Sequence, residues 1–143
     1  MARFCYRPVR NYNYQLREDF SYDLGRTFPE GPIQNEFILI SAEGLITIKK
    51  HYAWDGVSGP VIDTQANLKA SLVHDALYQL MREARLDHLI YREWSDRLFM
   101  EMCRKGGVMD AIAGLYFKGL SWFGAKNAKP RENATPPTIC QEG

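Results

Sequence analysis

Cysteine is scarce in this chain: Cys5, Cys103 and Cys140 are the only three in 143 residues. An odd, scattered set makes neither a disulfide framework nor a zinc site, and it points to synthesis in a reducing cytoplasm. No apolar run approaches the ~20 residues needed to span a bilayer. The Arg-rich start, Met1 to Tyr12, has no apolar h-region, so no Sec signal peptide is expected. An excess of one charge is missing as well. Lys+Arg is 18 and Asp+Glu is 17, a net charge of +1. That excludes the basic stripe of a dedicated nucleic-acid binder. The chain also lacks a Gly-x-x-x-x-Gly-Lys-Ser/Thr phosphate loop, a Gly-x-Ser-x-Gly elbow and a His-Glu-x-x-His zinc pair.

What is present is ordinary globular material, 45% hydrophobic and 24% charged, enough for one domain of about 100–150 residues. The first third is strand-like. From Tyr12 to Leu24, the residues Tyr14, Leu16, Phe20, Tyr22 and Leu24 share one parity, which predicts a strand. Pro29, Gly31 and Pro32 mark a loop over 25–34. Phe37-Ile38-Leu39-Ile40 and Leu45-Ile46-Thr47-Ile48 flank Ser41-Ala42-Glu43-Gly44, a hairpin pattern.

After Gly59 and Pro60 the apolar period changes from 2 to 3.6. Thr64 is placed to cap a helix running to about Ala84, with Leu68, Leu72, Leu77, Leu80 and Met81 as its apolar contacts. A second helix is predicted from about Tyr91 to Arg104, ended by Gly106-Gly107. Its apolar face is Tyr91, Trp94, Leu98, Phe99 and Met102, with Asp96 on the edge. A third, apolar almost all round, is predicted over Val108 to Phe123, as core or as a lipid-docking face. Lys, Pro, Asn and Thr then dominate 126–143, an extended tail.

The expected fold is therefore α+β. An N-terminal β-hairpin or small antiparallel sheet (1–53) packs on a C-terminal three-helix unit (54–125) with two antiparallel core helices. Together they form one domain, 1–125, followed by the tail.

The chemistry-bearing cluster is His74-Asp75-Ala76-Leu77-Tyr78. His74 and Tyr78 are four apart and share a helix face, whereas Asp75 is turned about 100° away. Asp96, 22 residues after His74, reaches that face if the two helices run antiparallel. His74 is then the base for a water, and Asp96 accepts the other imidazole N–H and fixes the tautomer. Tyr78 donates to Asp96. Asp75 is left free to hold a hard cation. The turn-rich segment Trp54-Asp55-Gly56-Val57-Ser58-Gly59 lies just upstream, where backbone carbonyls can converge.

His-Asp-x-x-Tyr on one helix and Asp on the next resembles phospholipase A2, and most of all the small phospholipase domain of parvovirus capsid proteins. In that superfamily the His is the base, the adjacent Asp binds Ca²⁺ and the later Asp orients the His. The resemblance covers about Trp54 to Phe123. It implies catalytic roles for His74, Asp96 and Tyr78. It also implies a Ca²⁺ site at Asp75 with Trp54, Gly56 and Ser58, and a phospholipid membrane as partner. The loop is one residue longer between its glycines than in those enzymes.

The (Trp/Thr)-Asp-Gly-x-Ser segment, followed by His-Asp-x-Leu-Tyr and a later Ser-Asp, is also similar to an uncharacterised family of tailed phages and prophages. This likeness implies synthesis in a host cytoplasm and association with a virion. It also supplies the rival expectation, a non-enzymatic tail or capsid accessory protein whose arms, 1–13 and 126–143, contact other virion proteins. A lesser alternative is a metal-dependent phosphohydrolase built on His51, His74-Asp75 and Asp96 or Asp110. The plainer alternatives are a packed His74, a core Tyr78, a local turn at Asp55 and a Cys103 that is only a small buried hydrophobe.

Overall fold

The computed structural model describes residues 4, 6–7, 14–55 and 65–105. The fold is α+β. The chain divides into two compact units, with a boundary between Asp55 and Gly56.

The N-terminal unit carries seven short strands among its described residues: β1 (Tyr6–Arg7), β2 (Tyr14–Leu16), β3 (Phe20–Asp23), β4 (Ile33–Gln34), β5 (Ile38–Ile40), β6 (Leu45–Ile48) and β7 (Ala53–Trp54). They form two antiparallel sheets, ordered β1-β2-β7 and β3-β6-β5-β4. The expected hairpin is β5-β6, in register with Ile38 opposite Ile48 and Ile40 opposite Ile46. Those four isoleucines are fully buried. On the other face Ser21 and Thr47 meet hydroxyl to hydroxyl at 3.1 Å. Alternation of β-branched residues thus sets the register, because a one-residue slip would turn all four out. Gly44 closes the turn at φ +96°, where an added Cβ would lie 1.9 Å from the Arg26 carbonyl oxygen. Only glycine fits there.

Two expectations need correction. The strand predicted across 12–24 is broken at Arg17–Asp19, and its halves join different sheets. A side chain supplies the corner: Asp19 Oδ1 accepts from the Lys50 backbone N–H at 2.8 Å. The loop predicted over 25–34 also ends in a strand. β4 pairs with β5, and Asn35 Oδ1 turns the chain by accepting from the N–H groups of Phe37 and Ile38 at 2.9 and 2.8 Å.

The second unit holds α1 (Gln65–Arg82) and α2 (His88–Lys105). From Asn67 to Met81 only Lys69 and Asp75 are not buried. A helix buried this completely belongs to the interior of its unit. It ends in a Schellman turn: Arg85 N–H donates to Leu80 O at 2.9 Å and Ala84 N–H to Met81 O at 3.0 Å, with Ala84 at φ 58°. The stop therefore falls at Arg82, before the predicted Ala84. Asp87 caps α2 by accepting from Leu89 N–H at 2.9 Å, so this helix starts three residues earlier than its apolar pattern suggests. The five-residue link 83–87 folds the helices back as antiparallel neighbours. The predicted cap Thr64, the third helix over 108–123 and the tail over 126–143 lie outside the described residues.

Candidate functional site

His74 stands eight residues before the end of α1, and Asp96 eight residues after the start of α2. Antiparallel helices of equal rise bring such positions level, about 12 Å from the link. His74 Nε2 is 2.7 Å from Asp96 Oδ1. One turn along α1, the Tyr78 hydroxyl donates to the same oxygen at 2.7 Å. The Tyr78 ring stacks on the imidazole with centroids 4.2 Å apart, and Phe99 of α2 meets it edge-on at 5.5 Å. Asp96 is fully buried and His74 and Tyr78 nearly so. The geometry thus brings together three of the predicted residues in the predicted pairing.

A carboxylate oxygen accepts and cannot donate, so the neutral ring carries its proton on Nε2 and leaves Nδ1 as its basic atom. Nδ1 lies 3.9 Å from Asp75 Oδ1, inside ion-pair range and beyond a hydrogen bond. The Asp75 side chain is 37% exposed, against 8% for His74. The ring therefore presents one nitrogen to the interior and the other to the single carboxylate of α1, which is partly open. Burial works against the imidazolium, but Asp75 and Asp96 outweigh it, and His74 is held above its ordinary value. The Tyr78 phenol is held well above its ordinary value by burial first and then by its hydrogen bond to Asp96.

Two features escaped the sequence reading. Asp96 lies in the middle of the buried face of α2, between Ser95 and Phe99, and not on its edge. Trp94 and Leu98, expected on that face, are only half-buried. Ser95 is accommodated because its hydroxyl donates to Tyr91 O at 2.8 Å. The second is Arg92, whose Nη1 lies 3.5 Å from Asp96 Oδ2. The spacing i, i+4 signals a pair on one helix, but nothing in it distinguishes this arginine from a solvated one.

The calcium expectation divides three ways. Asp75 is suitably half-exposed. Gly56 and Ser58 lie outside the described residues. Trp54 belongs to the β unit, where it is buried, paired through its backbone with Tyr14 and set 5.6 and 6.0 Å from the rings of Tyr14 and Phe4. Among the described residues no group of three or more His, Cys, Asp or Glu is placed to hold a metal, and no helix is long and apolar enough to cross a membrane. His51 occupies a turn after β6 at φ 81°, not a helix, so the phosphohydrolase pattern lacks its first helical histidine. Asp110 is outside the described residues. Cys103 is fully buried, and burial pushes its thiol up to about 12, as for an inert core residue. In comparisons with known proteins, no family model, no curated protein and no solved structure matches this chain.

Proposed function

We propose that the helix pair is the centre of a phage-associated, phospholipase A2-like hydrolase that cleaves a glycerophospholipid ester. The observation that carries this reading is the shared acceptor: His74 Nε2 and the Tyr78 hydroxyl, each 2.7 Å from Asp96 Oδ1. Asp96 orients the ring and stabilises the imidazolium formed when Nδ1 takes a proton from water. Tyr78 and Phe99 hold the ring between them and restrict its rotation. The water, once deprotonated, attacks the ester carbonyl. The proton on Nδ1 then goes to the leaving alkoxide, which restores the neutral ring.

Ca²⁺ takes six to eight oxygens. Asp75 is the described residue suited to hold it, and the remaining oxygens must come from elsewhere. When bound, such a cation supplies stabilisation of the oxyanion.

Release of fatty acid from phospholipid mixed micelles, with and without Ca²⁺, tests the reading. The wild type is expected to release fatty acid, and His74→Ala to lose roughly 100-fold or more of that rate. No release by the wild type under any condition would remove the enzyme. Equal rates in both proteins would remove this mechanism.

A second reading is favoured by the 8% exposure of the His74 side chain. In it the same hydrogen bonds only fasten α1 to α2 inside a non-enzymatic virion component. Wild-type assembly of particles carrying His74→Gln, together with no lipid hydrolysis by the wild type, would select it.

A further inference from the structure

We infer that Arg92 is a positioning residue, acting through Asp96 to hold the His74 imidazole in the tautomer that leaves Nδ1 free. The inference rests on the hydrolytic reading for its use, but its test reads the ring itself and stands whether or not an ester is cleaved.

The argument begins with the cost of burying Asp96. Its side chain has no exposure, and an uncompensated carboxylate in that position costs several kcal/mol. Oδ1 receives two donors, His74 Nε2–H and Tyr78 O–H. Both are neutral while the ring is neutral. The groups around the imidazole from the two helices are Asp75 and Tyr78 on α1 and Asp96 and Phe99 on α2. None of these is a cation. Among the described residues, Arg92 is the cation that faces Asp96, with its Nη1 3.5 Å from Oδ2. The guanidinium also acts on the Tyr78 hydroxyl, opposing the upward shift that burial and Asp96 impose there.

Arg92 therefore does two things that the neutral donors cannot. It balances the charge of Asp96 when His74 carries none. It also occupies Oδ2, so that the carboxylate turns Oδ1 toward α1 and the ring. Without it the orientation of the carboxylate, and with it the proton on Nε2, rests on the two neutral donors at Oδ1. The Arg92 side chain is 25% exposed, so its head stays partly solvated and screens only what it touches.

Nitrogen-15 and proton NMR of His74 at alkaline pH, where the ring is neutral, tests this. His74→Gln assigns the signals. In the wild type we expect the Nε2–H tautomer and a downfield, slowly exchanging Nε2–H proton. Arg92→Met, with its helical circular dichroism unchanged, is expected to lose that proton signal and to show mixed tautomers. Arg92→Lys, which keeps the charge, is expected to retain both signatures. Arg92→Gln replaces Arg92→Met if the latter does not fold. Wild-type ring signals in the neutral variant would overturn the inference. Equal loss in the lysine and neutral variants would overturn the role given to charge. A merely stabilising ion pair would lower the melting temperature and leave the tautomer untouched.

Discussion

His74 and Tyr78 share one acceptor atom: imidazole Nε2 and phenol hydroxyl both lie 2.7 Å from Oδ1 of Asp96. Two side chains a turn apart on one helix thus depend on a single buried carboxylate of the next. Removing the acceptor and removing one donor should therefore have very different costs.

Asp96→Ala strands two buried polar groups and the Arg92 charge, and should destabilise by about 3–5 kcal/mol. Tyr78→Phe removes one donor and leaves Asp96 with His74 and Arg92, at about 2 kcal/mol. Urea unfolding of both variants checks the order. Equal losses would mean that the two donors do not converge on one group.

The raised value of His74 ties stability and activity to pH in opposite directions. The folded ring holds its proton more tightly than the unfolded one, whose ordinary value is 6.5. Its stabilisation is therefore complete below that value and disappears as pH rises through the higher folded value. A base must be neutral, so hydrolysis should grow over the same interval in which stability falls. Urea midpoints from about pH 5 to about pH 9 should show this slope in the wild type and not in His74→Gln.

The end of α1 holds an alanine at φ 58°, in the left-handed region that favours glycine. Ala84→Gly should relieve that strain and raise stability by about 0.5–1 kcal/mol, visible as a higher melting temperature. A lower melting temperature would show that the turn needs the alanine side chain.

The opposite change at Gly44 should be costly. A methyl group there meets the Arg26 carbonyl oxygen at 1.9 Å, and φ is +96°. Gly44→Ala must reshape the β5-β6 turn, and should lower the melting temperature by the equivalent of about 2 kcal/mol or more.

The hairpin and the His74–Tyr78–Asp96 cluster were legible because each rests on a period. Alternating isoleucines point one way in a strand, and residues four apart share a helix face. The break at Arg17–Asp19 was hidden because no glycine or proline marks it and the parity of Leu16 and Phe20 runs through it unchanged. The side chain that makes the corner possible, Asp19, bonds to a residue 31 positions away, which no local pattern reports. The early start of α2 was hidden for a different reason. Asp87 lies outside the apolar pattern of 91–104, although its carboxylate is the cap. Arg92 carries no sequence signal of its own, because the depth of its partner decides its importance. An arginine four residues before an exposed aspartate contributes a few tenths of a kcal/mol, and before a buried one considerably more.

The corner between β2 and β3 is stitched to one short stretch of chain. Leu16 N–H donates to Tyr52 O at 2.9 Å, His51 N–H donates to Leu16 O at 3.0 Å, and Lys50 N–H donates to Asp19 at 2.8 Å. Loosening any of these exposes the others to solvent, although they join segments more than thirty residues apart. The amide protons of Leu16, Lys50 and His51 should consequently trade for deuterium at one common rate, as a single latch between the two sheets.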